Sequence, residues 1–263
     1  MGTVLLETRK LSNHFGMICT ADRLDLSLEE GVITSIIGPN GAGKSTLINL
    51  LTGHLPVQSG GVHFRGREIT RLPVHERVRR GICRSFQIVN VFPRLSVFEN
   101  VMIPVLSLSG RSWRPFARTS SEKDARREAE TILKRVALSA ERDTPAGKLS
   151  HGDQRLLEVG VALAARPVLL FLDEPTAGMN PGERERLLED IRRLAREGRT
   201  TFVLVEHDMD VVFSLSQRII VLHRGVVIGD GAPDEIRNDP TVKEVYLGNE
   251  VSGIFRYEEE PGE

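Results

Sequence analysis

Cysteine is scarce in this chain. Cys19 and Cys83 are the two among 263 residues, far apart and without the spacing of a metal site. A disulfide-stapled scaffold is thereby excluded, and two reduced thiols in a cytosolic protein are expected. Charge of one sign is also missing. The 35 basic and 36 acidic residues leave a formal net charge of -1, so there is no electrostatic case for a nucleic-acid partner. No apolar run approaches the roughly 18 residues that a membrane helix needs. The opening MGTVLLETRK lacks the basic start, apolar stretch and small-residue cleavage site of a signal peptide. Gly2 is not a myristoylation signal, because Leu6 stands where Ser or Thr is required. A chain that works at a membrane without these features has to be held there by other proteins. Internal repeats are absent too. The composition, 40% hydrophobic and 27% charged, is that of an ordinary globular protein. The length suits one large domain, or a core carrying an inserted subdomain.

Short strands are expected over residues 4–9 and 24–28, and a buried one over Val32 to Ile37. Glycine ends that strand, and a helix follows from Lys44 to Leu51, closed by Gly53. HFGMI and VHFRG suggest a small antiparallel sheet beside the core. Residues 88–158 read as helical. From Glu122 to Arg135 the spacing puts Ala129, Ile132, Leu133 and Val136 on one face. VLLFL (Val168 to Leu172) and TFVLVE (Thr201 to Glu206) are short apolar runs of the kind buried on both faces of a parallel sheet. Between them Asn180 caps a helix, Pro181 takes its first position, Glu183 completes a capping box and Gly198 ends it. Ser109 to Ser120 reads as a polar linker, and RYEEEPGE as a solvated tail. The expected fold is three-layered α/β. Residues 1–87 and 159–263 form the core with an antiparallel β part, and residues 88–158 form an inserted helical subdomain.

GPNGAGKS fits G-x-x-x-x-G-K-[ST] at Gly38, Gly43, Lys44 and Ser45. Glycines let backbone N–H groups converge on phosphate oxygens, and the following helix presents its positive end. The loop Gly38, Pro39, Asn40, Gly41, Ala42 and Gly43, with Lys44, Ser45 and Thr46, is thus the candidate triphosphate cradle. Lys44 adds a point charge at the β/γ-phosphates, and the Ser45 hydroxyl is a Mg²⁺ ligand. The run VLLFLDE puts Asp173 and Glu174 at a strand end, where parallel sheets present their ligand crevice. Asp173 suits Mg²⁺, mostly through water, and Glu174 suits a general base for the attacking water.

With these residues in place the sequence resembles the ABC ATPases over nearly its whole length. LSHGDQ (Leu149 to Gln154) is similar to the family's LSGGQ signature, with Ser150 and Gly152 at its phosphate-contacting positions. The resemblance makes Gln87 of SFQ the Q-loop glutamine, a Mg²⁺ ligand that reports to the membrane partner. It makes Ala177 to Asn180 the D-loop, His207 the switch histidine at the γ-phosphate, and Phe15 the ring stacked on adenine. It implies a RecA-like P-loop core, ATP and Mg²⁺ as ligands, and a head-to-tail dimer of two ATPase subunits. Each ATP would be held between one phosphate loop and the other subunit's signature. RSFQIVNVFPRLSVFENV, DEPTAGMNP and DPTVKEVYLG resemble the ATPases of branched-chain amino acid importers, with urea importers close. That implies two permease subunits, a periplasmic or extracellular solute-binding protein acting indirectly, and a peripheral place on the cytoplasmic face of the membrane. ATPases of other ABC systems, such as lipid exporters, and non-transport members are the alternatives. Sustained heptads and a second cassette, marks of the latter, are absent.

The signature departs from consensus. His151 replaces a glycine and Asp153 a glutamine. Ser150 and Asp153 make an S-x-x-D capping pattern. Asp153 either only caps its helix, or weakens the grip on the opposite ATP by opposing the helix's positive end. Ile88, Val89, Val91, Phe92 and Pro93 are candidates for a groove that takes a permease helix. The basic stretch Arg77 to Arg84 is expected to be a solvated helix face.

Overall fold

The computed structural model describes residues 2–15, 18–85, 91–108 and 119–247. The chain opens with β1 (Val4–Phe15), β2 (Ile18–Leu24) and β3 (Ser27–Glu29). It continues through β4 (Thr34–Ile37), α1 (Lys44–Thr52), β5 (Ser59–Phe64), β6 (Arg67–Glu68), α2 (Val74–Arg79) and β7 (Ile82–Arg84). β1 pairs antiparallel with β2, β3 and β5, which gives the expected small antiparallel sheet. The strand expected over 24–28 is instead broken between β2 and β3. The Thr8 hydroxyl donates to the Leu24 carbonyl at 2.8 Å and accepts the Leu26 N–H at 3.0 Å. The Asp25 carboxylate accepts the Lys10 N–H at 2.7 Å. Side chains thus satisfy backbone groups that a continuous ladder would have paired.

The basic stretch corrects a second expectation, because it is not one solvated face. α2 ends at Arg79, and Arg84 lies in β7. Arg79 and Arg80 are exposed, but Arg77 is buried. Its guanidinium donates to the carbonyls of Leu50 and Leu51, each at 2.7 Å, and of Thr70 and Leu72 at 2.8 and 2.9 Å. It satisfies carbonyls of the last turn of α1, where a cation is favoured by the helix dipole. Burial pushes its pKa down to about 10.

Next come α3 (Val97–Leu108), α4 (Thr119–Arg135) and α5 (His151–Ala164). Thr119 and Ser120, read from sequence as linker, open α4. Ala129, Ile132, Leu133 and Val136 are buried together against α3 and α5 residues, as their spacing requires. The chain closes with β8 (Leu169–Asp173), α6 (Pro181–Arg196), β9 (Thr201–Val205) and α7 (Met209–Leu215). β10 (Arg218–His223), β11 (Val226–Gly231), α8 (Pro233–Asn238) and α9 (Pro240–Leu247) follow.

The central sheet has the order β11-β10-β4-β9-β8-β7. Its strands from β10 to β7 run parallel, and β11 is an antiparallel edge. Alternation along each buried strand divides the interior. Leu169, Phe171, Val203 and Val205 pack against α1 and the antiparallel sheet. Leu170, Leu172, Phe202 and Leu204 pack against the helical layer. Each such side chain stabilises the fold by about 1.5–3 kcal/mol through burial. The arrangement sets the C-terminal ends of β4, β9, β8 and β7 side by side.

Candidate functional site

The segment after β4 is a tight glycine loop. Gly43 has φ 103°, and a Cβ there would stand 2.4 Å from the Thr20 carbonyl oxygen. At Gly38 a Cβ would meet the Leu222 carbonyl oxygen at 2.2 Å. Any side chain at either position would push the loop off β2 and β10. Gly43 also stands at the N-cap of α1 and provides no capping side chain, and the first turn holds no acid. By contrast α5, α6 and α7 are capped by Ser150, Asn180 and Asp208. α1 therefore presents N–H groups and the positive end of its dipole to whatever anion the loop encloses.

Lys44 bends back over this loop and donates to the carbonyls of Gly38 and Pro39, at 2.6 and 3.1 Å. Burial pushes its pKa below the ordinary lysine value, while the charges of Glu174 and Asp173 act to raise it. Both carboxylates of the β8 end thus act on the lysine through their charge. Ser45 is exposed and Thr46 half-buried at the start of α1.

Asp173 is buried at the end of β8 and ion-paired with Arg84 of the neighbouring β7. Glu174 follows with a left-handed backbone, φ 45°. Its N–H donates to the Val205 carbonyl at 2.9 Å, so the adjacent β9 holds the turn. A non-glycine residue in this region is strained, and such strain clusters at functional sites. The Glu174 carboxylate lies 3.8 Å from Nδ1 of His207, whose side chain is 65% exposed. Beneath them Glu206 is buried and accepts the Thr176 hydroxyl and N–H, at 2.8 and 3.2 Å. Desolvation raises the Glu206 pKa above the ordinary carboxylate value, and the Thr176 bonds oppose this in part.

Loop 38–46, Asp173, Glu174 and His207 are thus brought together at neighbouring strand ends. Phe15 ends β1, but its side chain lies outside the described residues, as do Gln87, Ile88 and Val89. Of the remaining groove candidates Phe92 is exposed. Ser150 and Gly152 form a second cluster, at the N-terminus of α5 and against α6. The Ser150 side chain accepts the Asp153 N–H at 3.1 Å, and its hydroxyl donates to the Asp153 carboxylate at 2.9 Å. The Gly152 N–H donates to Glu183 at 3.4 Å. Arg186 of α6 stands 4.0 Å from Asp153, and the His151 ring lies beside Gly178. Arg184 pairs with Asp208 at 2.6 Å, next to His207. Sequence reasoning assigned Glu183 to its capping box, which forms as expected. It missed the second duty of Glu183 and the parts of Arg84, Arg184 and Glu206, because each depends on a neighbour distant in sequence.

Residues 21–177 match the family described as "ABC transporter". The chain belongs to that family. It is an ATP-hydrolysing cassette, and the branched-chain amino acid ATP-binding cassette transporter model matches residues 226–252. It is 38% identical over 254 residues to the high-affinity branched-chain amino acid transport ATP-binding protein BraF of Pseudomonas aeruginosa. That alignment covers 94% of this chain and 99% of BraF. The ADP conformation of MJ1267, an ATP-binding cassette of an ABC transporter, superimposes with a TM-score of 0.81 at 34% identity, covering 94% of this chain and 99% of that one. Dimeric MJ0796, a bacterial ABC transporter cassette, gives 0.73 at 26% identity, with 87% and 99% covered. Cassettes of this kind bind nucleotide and pair as dimers. No helix among the described residues is long and apolar enough to cross a membrane.

Proposed function

We propose that this chain is the ATPase subunit of an importer for branched-chain amino acids or a related small polar solute. The end-to-end likeness to BraF carries this reading. In it the chain sits peripherally on the cytoplasmic face of the membrane, against two permease subunits, with a solute-binding protein acting indirectly. It pairs head to tail with a second ATPase subunit, so it supplies half of each of two ATP sites.

The loop from Gly38 to Thr46 encloses the β- and γ-phosphates with backbone N–H groups and Lys44, which leaves its carbonyl partners for them. The uncapped N-terminus of α1 fits that charge. Phe15 stacks on adenine. Ser45 and Gln87, with Asp173 acting mostly through water, would hold Mg²⁺ beside oxygens of the nucleotide. When bound, the metal neutralises charge that develops on the transferring phosphoryl group. Glu174 orients and deprotonates the attacking water, and the exposed His207 meets the γ-phosphate. Ser150 and Gly152 complete the site of the opposite subunit. The helical subdomain, residues 88–158, moves with nucleotide and transmits that motion through Gln87 to the permease. ATP favours the closed pair because only that state gathers all these contacts.

The test is the Glu174→Gln variant in the assembled transporter. It should bind ATP and lose turnover by at least about a hundredfold, the low end of general-base effects. Retained turnover would remove Glu174 as the base. Co-purification of permeases with a second ATPase supports import, whereas ribosome or DNA would overturn it.

A further inference from the structure

Arg84 occupies a singular place in this sheet. It ends β7, the parallel neighbour of β8, and its guanidinium reaches two elements of the nucleotide site at once. One nitrogen donates to the buried Asp173 carboxylate and another to the side chain of Asn49, in the helix that follows the phosphate loop. Arg84 is itself nine-tenths buried. Lys44, whose charge also acts on Asp173, is shared with Glu174 and bonded to loop carbonyls.

A triphosphate would draw Lys44 onto its own oxygens. Asp173 would then stand buried beside several negative charges, with Arg84 as the cation still bonded to it. A buried carboxylate stripped of its compensating charge is costly, and that cost falls on whatever brings the added negative charge. We infer that Arg84 is a positioning residue that compensates Asp173 until a metal arrives, so that nucleotide can enter the loop without metal. The bond to Asn49 keeps the carboxylate aimed at α1 during that interval. This inference rests on the reading of Asp173 as the carboxylate facing the metal and triphosphate.

The experiment titrates a fluorescent ATP analogue into the purified chain, in EDTA and at saturating Mg²⁺. Arg84→Gln should weaken metal-free binding about tenfold or more, because it leaves Asp173 buried and uncompensated. Binding with Mg²⁺ should change by less than about threefold, since the metal then supplies the compensating charge. Arg84→Lys, which keeps the charge and loses the fork, should retain most metal-free affinity. Asp173→Asn added to Arg84→Gln should restore metal-free affinity, because the uncompensated charge is gone. Equal losses with and without Mg²⁺, unrelieved by Asp173→Asn, would make Arg84 merely architectural and overturn the inference. If Asp173→Asn alone left the Mg²⁺ dependence of binding unchanged, the assignment of Asp173 itself would fall.

Discussion

Replacing Asp153 by Gln tests whether the altered signature grips ATP weakly. In the structure the Ser150 hydroxyl donates to the Asp153 carboxylate, and Arg186 stands 4.0 Å away. The Asp153 side chain is 22% exposed, so its charge is only partly screened. For Ser150 to meet a γ-phosphate on the opposite subunit, its hydroxyl must leave that carboxylate, an exchange between two charge-assisted bonds that nearly cancels. What does not cancel is repulsion between carboxylate and phosphate. At a separation of about 6 Å and an effective dielectric of about 40, it is roughly 1.4 kcal/mol, and about 1 kcal/mol after partial neutralisation by Arg186. Glutamine removes the charge, so the apparent ATP affinity of the assembled transporter should improve roughly fivefold. Loss of a first-turn acid costs α5 about 0.3–1 kcal/mol, and the melting temperature should fall slightly. ATPase rate against ATP concentration measures the first quantity, and thermal unfolding the second. An unchanged half-saturation would refute the reasoning and leave Asp153 as a cap only.

Two further perturbations probe buried charged groups. Arg77→Met leaves the carbonyls of Leu50, Leu51, Thr70 and Leu72 without their donor and should cost about 3 kcal/mol or more, read from chemical denaturation. A loss under about 1 kcal/mol would mean that water replaces the guanidinium. Glu206 has a raised pKa in the folded chain, so the native state binds its proton more tightly than the unfolded state does. Its contribution is therefore favourable below the ordinary carboxylate value and falls as pH rises from there towards the folded value. Glu206→Gln, which can still accept from Thr176, should be more stable than the parent at pH 8, with the difference gone near pH 4, roughly the ordinary glutamate pKa. A pH-independent difference would contradict this account.

Much of this could be read along the chain because it is local. The loop from Gly38 to Ser45 declares its chemistry by spacing, and Asn180, Pro181 and Glu183 announce a helix start. The runs at Leu169 and Thr201 were legible as buried strands because both their faces are covered. Edges were harder. Leu24 to Leu28 reads as a strand by composition, yet Thr8 satisfies a break in it from across the sheet, and Asp25 within the break accepts the Lys10 N–H. Arg77 and Arg84 looked like surface charge because the partners that bury them lie mostly far off in sequence. Arg77 reaches α1, twenty-six or more residues away, and Arg84 reaches β8, eighty-nine away. Strand order is the missing quantity, and it is set by crossovers that local pattern does not encode.

That order has a consequence for the chain during synthesis. Along the sheet the site runs from the end of β4 through β9 and β8 to β7, whereas along the chain those ends emerge as β4, β7, β8 and β9. β9 inserts last, between strands already made, and it brings Glu206 and His207 with the backbone that holds Glu174 in its turn. With Glu174 and His207 in their proposed roles, a growing polypeptide carries its phosphate loop long before it can cleave anything. Until β9 has left the ribosome, ATP can act on it only as a ligand that favours the folded state.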